Sequence, residues 1–84
     1  MNRIVWSIRA FRQLRALDHG AQIRIRDAVQ GLGVFPATPG VERLVNSRFG
    51  YRLRVGDYRV LFDFDGTIRV ITVEEVRKRD EHTY

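Results

Sequence analysis

Apolar positions change period once along the chain. Between residues 8 and 32 they recur at helical spacing, and from residue 51 onward they recur at every second position. Ahead of the helical part, Arg3 to Ser7 reads as a short strand with Ile4 and Trp6 on one face. Ile8 to Leu17 follows as an amphipathic helix. Ala10, Phe11, Leu14 and Leu17 share one side, while Arg9, Arg12 and Arg15 form a solvated basic stripe. Asp18-His19-Gly20 breaks this helix, with glycine suited to a left-handed closing residue. A second helix is expected from Ala21 to Leu32, burying Ala21, Ile25, Ala28, Val29 and Leu32 along one face. Two helices joined by so short a break should fold back as an antiparallel hairpin.

The segment from Gly33 to Gly40 holds two prolines and reads as a loop. Strands follow. Glu42 to Asn46 is a short candidate. In Tyr51-Arg52-Leu53-Arg54-Val55, the tyrosine, leucine and valine face one way and the two arginines the other. Gly56-Asp57 is a two-residue hairpin turn with glycine first. Tyr58 to Phe64 then puts Tyr58, Val60, Phe62 and Phe64 on one face, with Arg59, Leu61 and Asp63 opposite. Asp65-Gly66 predicts a second tight hairpin leading into a last strand from Thr67 to Val76. The order is β-α-α-β-β-β-β. The fold class is α+β, with two N-terminal helices packed on a twisted antiparallel sheet, as a single domain over residues 1–84.

Composition narrows the partners. The chain has 84 residues, 44% hydrophobic and 30% charged, enough for one modest core. It has no cysteine, which excludes a disulfide framework and a thiolate metal site and fits a reducing compartment. No apolar run reaches the length that spans a bilayer, and the first residues lack the pattern of a signal peptide. A cytoplasmic protein without membrane partners is expected. The net charge is +5, and of 15 basic residues only Lys78 is lysine. Arginine's planar fork matches two phosphate oxygens at once, although a GC-rich genome would also enrich arginine. An anionic partner, nucleic acid or acidic protein, follows from the charge.

The position of the arginines says more than their number. Arg52 and Arg54 are two apart in one strand and share a face. With Val55 and Tyr58 opposed across the turn, Leu53 should face Val60 and Arg54 should face Arg59. Like charges directly opposite destabilise a sheet, so their juxtaposition points to an anion, most naturally phosphate, visiting that face. The C-terminal tail, Arg77-Lys78-Arg79-Asp80-Glu81-His82-Thr83-Tyr84, adds three cations, a histidine and a tyrosine. His82 and Tyr84 can each move a proton or stack on a base; a solvated chain end is the bland alternative. His19 and His82 are too far apart in sequence to suggest a metal site, and none is expected. Asp63 and Asp65 read as strand-edge and turn residues, and Trp6 as core.

Gly50-Tyr51-Arg52-Leu53-Arg54-Val55-Gly56-Asp57-Tyr58-Arg59-Val60-Leu61-Phe62 resembles the core motif of the RelE/ParE toxin superfamily. Arg79-Asp80-Glu81-His82-Thr83-Tyr84 is similar to that family's C-terminal motif, an arginine followed by a tyrosine, and Leu44 and the amphipathic helices also fit. The resemblance covers essentially the whole chain. It implies the toxin of a type II toxin–antitoxin pair. RelE-like members cut mRNA on the translating ribosome without metal or other cofactor, by attack of the ribose 2′-hydroxyl on the adjacent phosphate. On this resemblance Arg52, Arg54, Arg59 and Arg79 would surround the phosphate, and Arg77 and Lys78 would add binding charge. Tyr84 would stack or transfer a proton, with His82 in support. The family's best-studied nuclease has lysine at the first two motif positions, where this chain has Arg52 and Arg54. Arginine cannot serve as a general base, so that role would fall to Tyr84, His82 or a substrate phosphate oxygen.

The resemblance also implies partners: a small, acidic cognate antitoxin, the ribosome and mRNA, and operator DNA reached only through the antitoxin. Two other readings stand beside the endoribonuclease. One is a ParE-like toxin that inhibits DNA gyrase and is no nuclease; the other is a degenerate member kept as a binding module. The complete set of Arg52, Arg54, Arg59, Arg79 and Tyr84 favours the nuclease.

Overall fold

The computed structural model describes residues 1–79. The elements in chain order are β1 (Arg3–Trp6), α1 (Ile8–Arg15), α2 (His19–Gln30), a 3-10 turn (Gly31–Val34), β2 (Val41–Arg43), β3 (Tyr51–Val55), β4 (Tyr58–Asp65) and β5 (Val70–Lys78). The five strands form one sheet in the order β1-β5-β4-β3-β2. β2, β3, β4 and β5 pair antiparallel, as expected for an α+β domain of this kind. β1 departs from the wholly antiparallel expectation: it runs parallel to β5, with Ile4 opposite Ile71 and Trp6 opposite Val73. The helical pair carries the chain from β1 at one edge of the sheet to β2 at the other, and three antiparallel steps, β2 to β3, β4 and β5, then bring β5 back beside β1 in the same direction.

Both helices start on a side-chain cap. Ser7 Oγ accepts from the Ala10 amide at 3.0 Å, and Asp18 Oδ2 accepts from the Ala21 amide at 3.1 Å. The second cap corrects the sequence reading. Asp18 opens α2 rather than breaking α1, and His19 and Gly20 form the first turn of α2. The apolar face of α2 is as expected: Ala21, Ile25 and Val29 are buried, as is Leu32 just beyond it. In α1 only Ala10 and Leu14 are buried; Phe11, expected in the core, is 49% exposed.

The helices cover one face of the sheet, over Leu53, Tyr58, Val60, Phe62, Ile71, Val73 and Val76. Phe35 closes one end of this core, edge-on to Tyr51, Phe62 and Phe64 with ring centroids 5.0–5.5 Å away. The other hairpin differs from expectation. Four residues, 66–69, connect β4 and β5, and Asp65 Oδ1 accepts from the Thr67 and Ile68 amides. The candidate strand at Glu42–Asn46 is shorter and starts earlier, at Val41–Arg43, and β5 begins at Val70.

Candidate functional site

The β3–β4 hairpin has the register that alternation and the two-residue turn dictate. Val55 pairs with Tyr58, Leu53 with Val60 and Arg54 with Arg59. Arg54 and Arg59 therefore sit side by side on the face turned away from the helices. β5 extends the row, because Arg59 pairs on its other side with Arg77. Three arginines in register across three neighbouring strands span about 10 Å at ordinary strand spacing. One step along the strands the next row reads Glu42, Arg52, Leu61 and Glu75.

Each arginine is held differently. Arg52 is ion-paired with Glu42. Arg59 folds back on the turn, where its Nη1 donates to the carbonyls of Gly56 at 2.8 Å and Tyr58 at 2.9 Å. Those bonds offset the repulsion from Arg54 and Arg77. Arg54 is exposed, with no ion pair among the described residues. Arg77 donates from Nε to Glu75 Oε1 at 3.1 Å. The Arg79 amide donates to the Asp57 carbonyl at 2.6 Å, which places the start of the tail beside the turn that carries Arg59. Lys78 is not brought to the row: its partner is Tyr58, so it lies on the helix-bearing side. His82 and Tyr84 lie outside the described residues.

Two carboxylates that the sequence reading did not single out border this face. Glu42 stands opposite Arg52. Glu75 is 6% exposed, with Arg77 on one side and Arg9 of α1 at 3.8 Å on the other. The signal for Glu42 is its place two residues before the expected leucine at Leu44, and the signal for Glu75 is the pair of adjacent carboxylates between Val73 and Val76. At the opposite end from the arginines, Asp63 Oδ1 accepts from the Gly50 amide at 2.7 Å. Its neighbour Glu74 has a pKa raised above the ordinary carboxylate value, first by burial and then by the charge and hydrogen bond of Asp63, with Arg48 opposing. The face thus carries its arginine row toward the β3–β4 turn, with Glu42 and Glu75 one rung behind it, and ends toward the loop before β3 in Asp63 and Glu74 with Arg48 nearby. Among the described residues no group of histidines and carboxylates is placed to hold a metal. No helix among them is long and apolar enough to cross a membrane.

On the helix side a groove of about 580 Å³ is lined by Trp6, Phe11, Leu14, Arg15, Gln22 and Arg26. This is where the exposed Phe11 lies, with the Arg15 guanidinium 5.7 Å from its ring centroid. Trp6 is partly buried against the core and also lines the groove.

A family model described as the ParE toxin of the type II toxin–antitoxin system parDE matches residues 4–83. No curated protein matches the sequence significantly. Among solved structures, the isolated RelE toxin of E. coli superposes with a TM-score of 0.81 at 16% identity, over 96% of this chain and 87% of that one. A chain of the Mycobacterium tuberculosis RelBE2 toxin–antitoxin complex gives 0.80 at 20% identity, covering 93% and 98%. A chain of the archaeal RelE–RelB complex from Pyrococcus horikoshii gives 0.79 at 23% identity, covering 95% and 97%. At these identities the structural likeness establishes the fold.

Proposed function

The chain belongs to the RelE/ParE superfamily of type II toxin–antitoxin toxins, and from that premise we propose that it is a RelE-like endoribonuclease that cuts mRNA on the translating ribosome. The observation that carries this reading is the arginine row Arg54–Arg59–Arg77, with Arg52 one rung away, on the sheet face turned away from the helices. In the cleavage proposed, the ribose 2′-oxygen bonds to the adjacent phosphorus and the bond to the 5′-oxygen breaks. The products are a 2′,3′-cyclic phosphate and a 5′-hydroxyl. The phosphorane gathers negative charge, and pre-placed guanidinium groups stabilise that charge more than the ground state.

The 2′-hydroxyl proton needs an acceptor other than arginine. Tyr84 and His82 are the tail candidates, and Glu42 adds a carboxylate at the edge of the arginine set. The 5′-oxygen needs a donor, which the same groups can provide. Arg79, starting beside Asp57, would close the cluster from the tail side.

An acidic antitoxin is the proposed partner. A chain of net charge +5 suits a partly disordered acidic segment that orders on contact. The groove with Trp6 and Phe11 between Arg15 and Arg26 suits the apolar side of such a segment. Contact with operator DNA would come through the antitoxin. The site of action is the cytoplasm, where the ribosomes are.

Induction of the chain alone should arrest growth, with rescue by the neighbouring gene. Primer extension on cellular mRNA should then show new breaks inside translated codons. The match to a ParE toxin model keeps the gyrase reading alive. Intact mRNA together with double-strand DNA breaks would establish that reading instead.

A further inference from the structure

β5 contains an irregularity that rebuilds the arginine face. Leu61 pairs with Glu75 and Phe62 with Val73, so Glu74 is an extra, unpaired residue at a β-bulge. Ile71 and Val73 are fully buried in the core, and unbroken alternation would send residues 75 and 77 there too. The bulge shifts the phase. Val76 takes the core position, and Glu75 and Arg77 turn to the face that carries Arg54 and Arg59.

α1 completes the arrangement. β1 stops at Trp6, opposite Val73, and α1 takes over the exposed edge of β5. Ser7 Oγ donates to the Glu74 carbonyl at 3.0 Å, and the Val76 amide donates to Gln13 Oε1 at 2.7 Å. This docking brings Arg9 within 3.8 Å of Glu75. A carboxylate whose side chain is 8% exposed thus lies between two arginines that are 64% and 56% exposed. Glu75 engages Arg77 through Nε. Among the described residues no side-chain hydrogen bond runs from the terminal nitrogens of Arg77.

We propose that Arg9, Glu75 and Arg77 form a second phosphate subsite, in which Glu75 is a positioning residue that presents the two arginines to a backbone phosphate next to the one held by Arg52, Arg54 and Arg59. The proposal rests on the reading of this face as an RNA site and extends it to a further nucleotide. A row about 10 Å wide is broader than one phosphate can bridge. A carboxylate that fixes the Nε edge of a guanidinium leaves the fork for a bidentate contact with an anion. A buried ion pair adds little net stability by itself, so stability alone is a weak reason for burying Glu75 here.

The test is binding of a fluorescent 2′-O-methyl oligoribonucleotide, which cannot be cleaved, to the purified full chain by anisotropy across a salt series. Glu75→Met removes a negative charge and keeps the side-chain length. If Glu75 acted only as a nearby charge, this variant would bind RNA more tightly. The subsite predicts weakening instead, by about 3- to 10-fold, with the slope of log K against log salt falling by about 0.7, as for one lost phosphate contact on a single strand.

Arg77→Ala, at an exposed position, should show the same loss and the same slope, and combining the two changes should add little. Glu75→Gln, which restores the acceptor, should recover most of the affinity. Tighter or unchanged binding by a folded Glu75→Met, or unchanged binding by Arg77→Ala, overturns the subsite. Arg59→Ala separates the two levels. If it weakens binding while Arg77→Ala does not, the subsite fails and the RNA site stands. If neither weakens binding, both fail.

Discussion

Replacing Arg59 with alanine should separate activity from stability. Arg59 is half-buried and stands between Arg54 and Arg77. Its Nη1 bonds to the Gly56 and Tyr58 carbonyls at 2.8 and 2.9 Å. Losing those two bonds costs about 0.5–1.5 kcal/mol each at most, because the turn carbonyls then hydrogen-bond to water. Relieving its two cross-strand like-charge pairings, with Arg54 and with Arg77, returns about 0.2–1 kcal/mol each. The two effects nearly cancel, leaving a change of within about 1 kcal/mol, or a shift in Tm of no more than about 4–8 °C for a domain of this size. Catalysis responds differently. Withdrawing one pre-placed donor from a developing anion typically costs about 10²- to 10³-fold.

The assay is cleavage of a defined mRNA by the purified variant on programmed ribosomes, beside a thermal melt followed by circular dichroism. Arg59→Ala should melt close to wild type and cut at least about 100-fold more slowly. Arg59→Lys should fall between, since it keeps the charge and loses the planar fork. Cutting within about threefold of wild type would remove Arg59 from the phosphate site, because that is about 0.7 kcal/mol and too small for a direct contact. A melt lowered by more than about 10 °C would refute the balance of bonds and repulsion worked out above.

Three further outcomes follow from the fold. Phe62→Ala deletes a fully buried ring that stacks on Tyr51 at 5.3 Å, and should cost about 3–5 kcal/mol in urea unfolding, a large share of a small domain's stability. Asp18→Ala removes the α2 cap and should cost about 1 kcal/mol, a fall in Tm of about 4–8 °C, whereas no loss would return Asp18 to the role of a mere helix breaker. Glu74 has a raised pKa, so its neutral form is favoured in the fold; its contribution is complete below the ordinary value of 4.5 and is lost as pH rises through the raised value. Glu74→Gln should therefore melt higher than wild type at pH 7, with the difference shrinking below pH 4.5; parallel melting curves across that window would contradict the assignment.

The parts legible in sequence are those set by contacts close along the chain. The β3–β4 register follows from alternation plus a two-residue turn, and with it the pairing of Arg54 and Arg59. The buried face of α2 follows from helical spacing. Misreadings arose where one residue type supports two local structures. Asp18 could end one helix or cap the next, and the side chain of Asp18 on the Ala21 amide decides for the cap. Asp65-Gly66 suggests a tight hairpin, yet Asp65 instead collects two amides of a longer loop, with Arg69 at φ 56°. Phe11 has the spacing of a core residue but sits over a groove rather than the sheet. Periodicity gives the direction of a side chain and not what lies in that direction.

The arginine row shows where such local reasoning stops. Arg52, Arg54 and Arg59 lie within one hairpin, so their neighbourhood can be worked out residue by residue. Arg77 and Glu75 join them only because β5 lies beside β4 and because one extra residue, Glu74, shifts the phase of the strand. Without the bulge, alternation would point Glu75 and Arg77 into the core and Val76 out of it. The cost of burying a charge without partners makes that arrangement untenable, whereas a bulge costs one unpaired residue. The sequence Val73-Glu74-Glu75-Val76 therefore demands the irregularity: two apolar residues three apart, with adjacent carboxylates between them, can both reach the core only if the strand skips a step. The same skip aligns Arg77 with Arg59, so the physical requirement that settles the core also completes the cationic face.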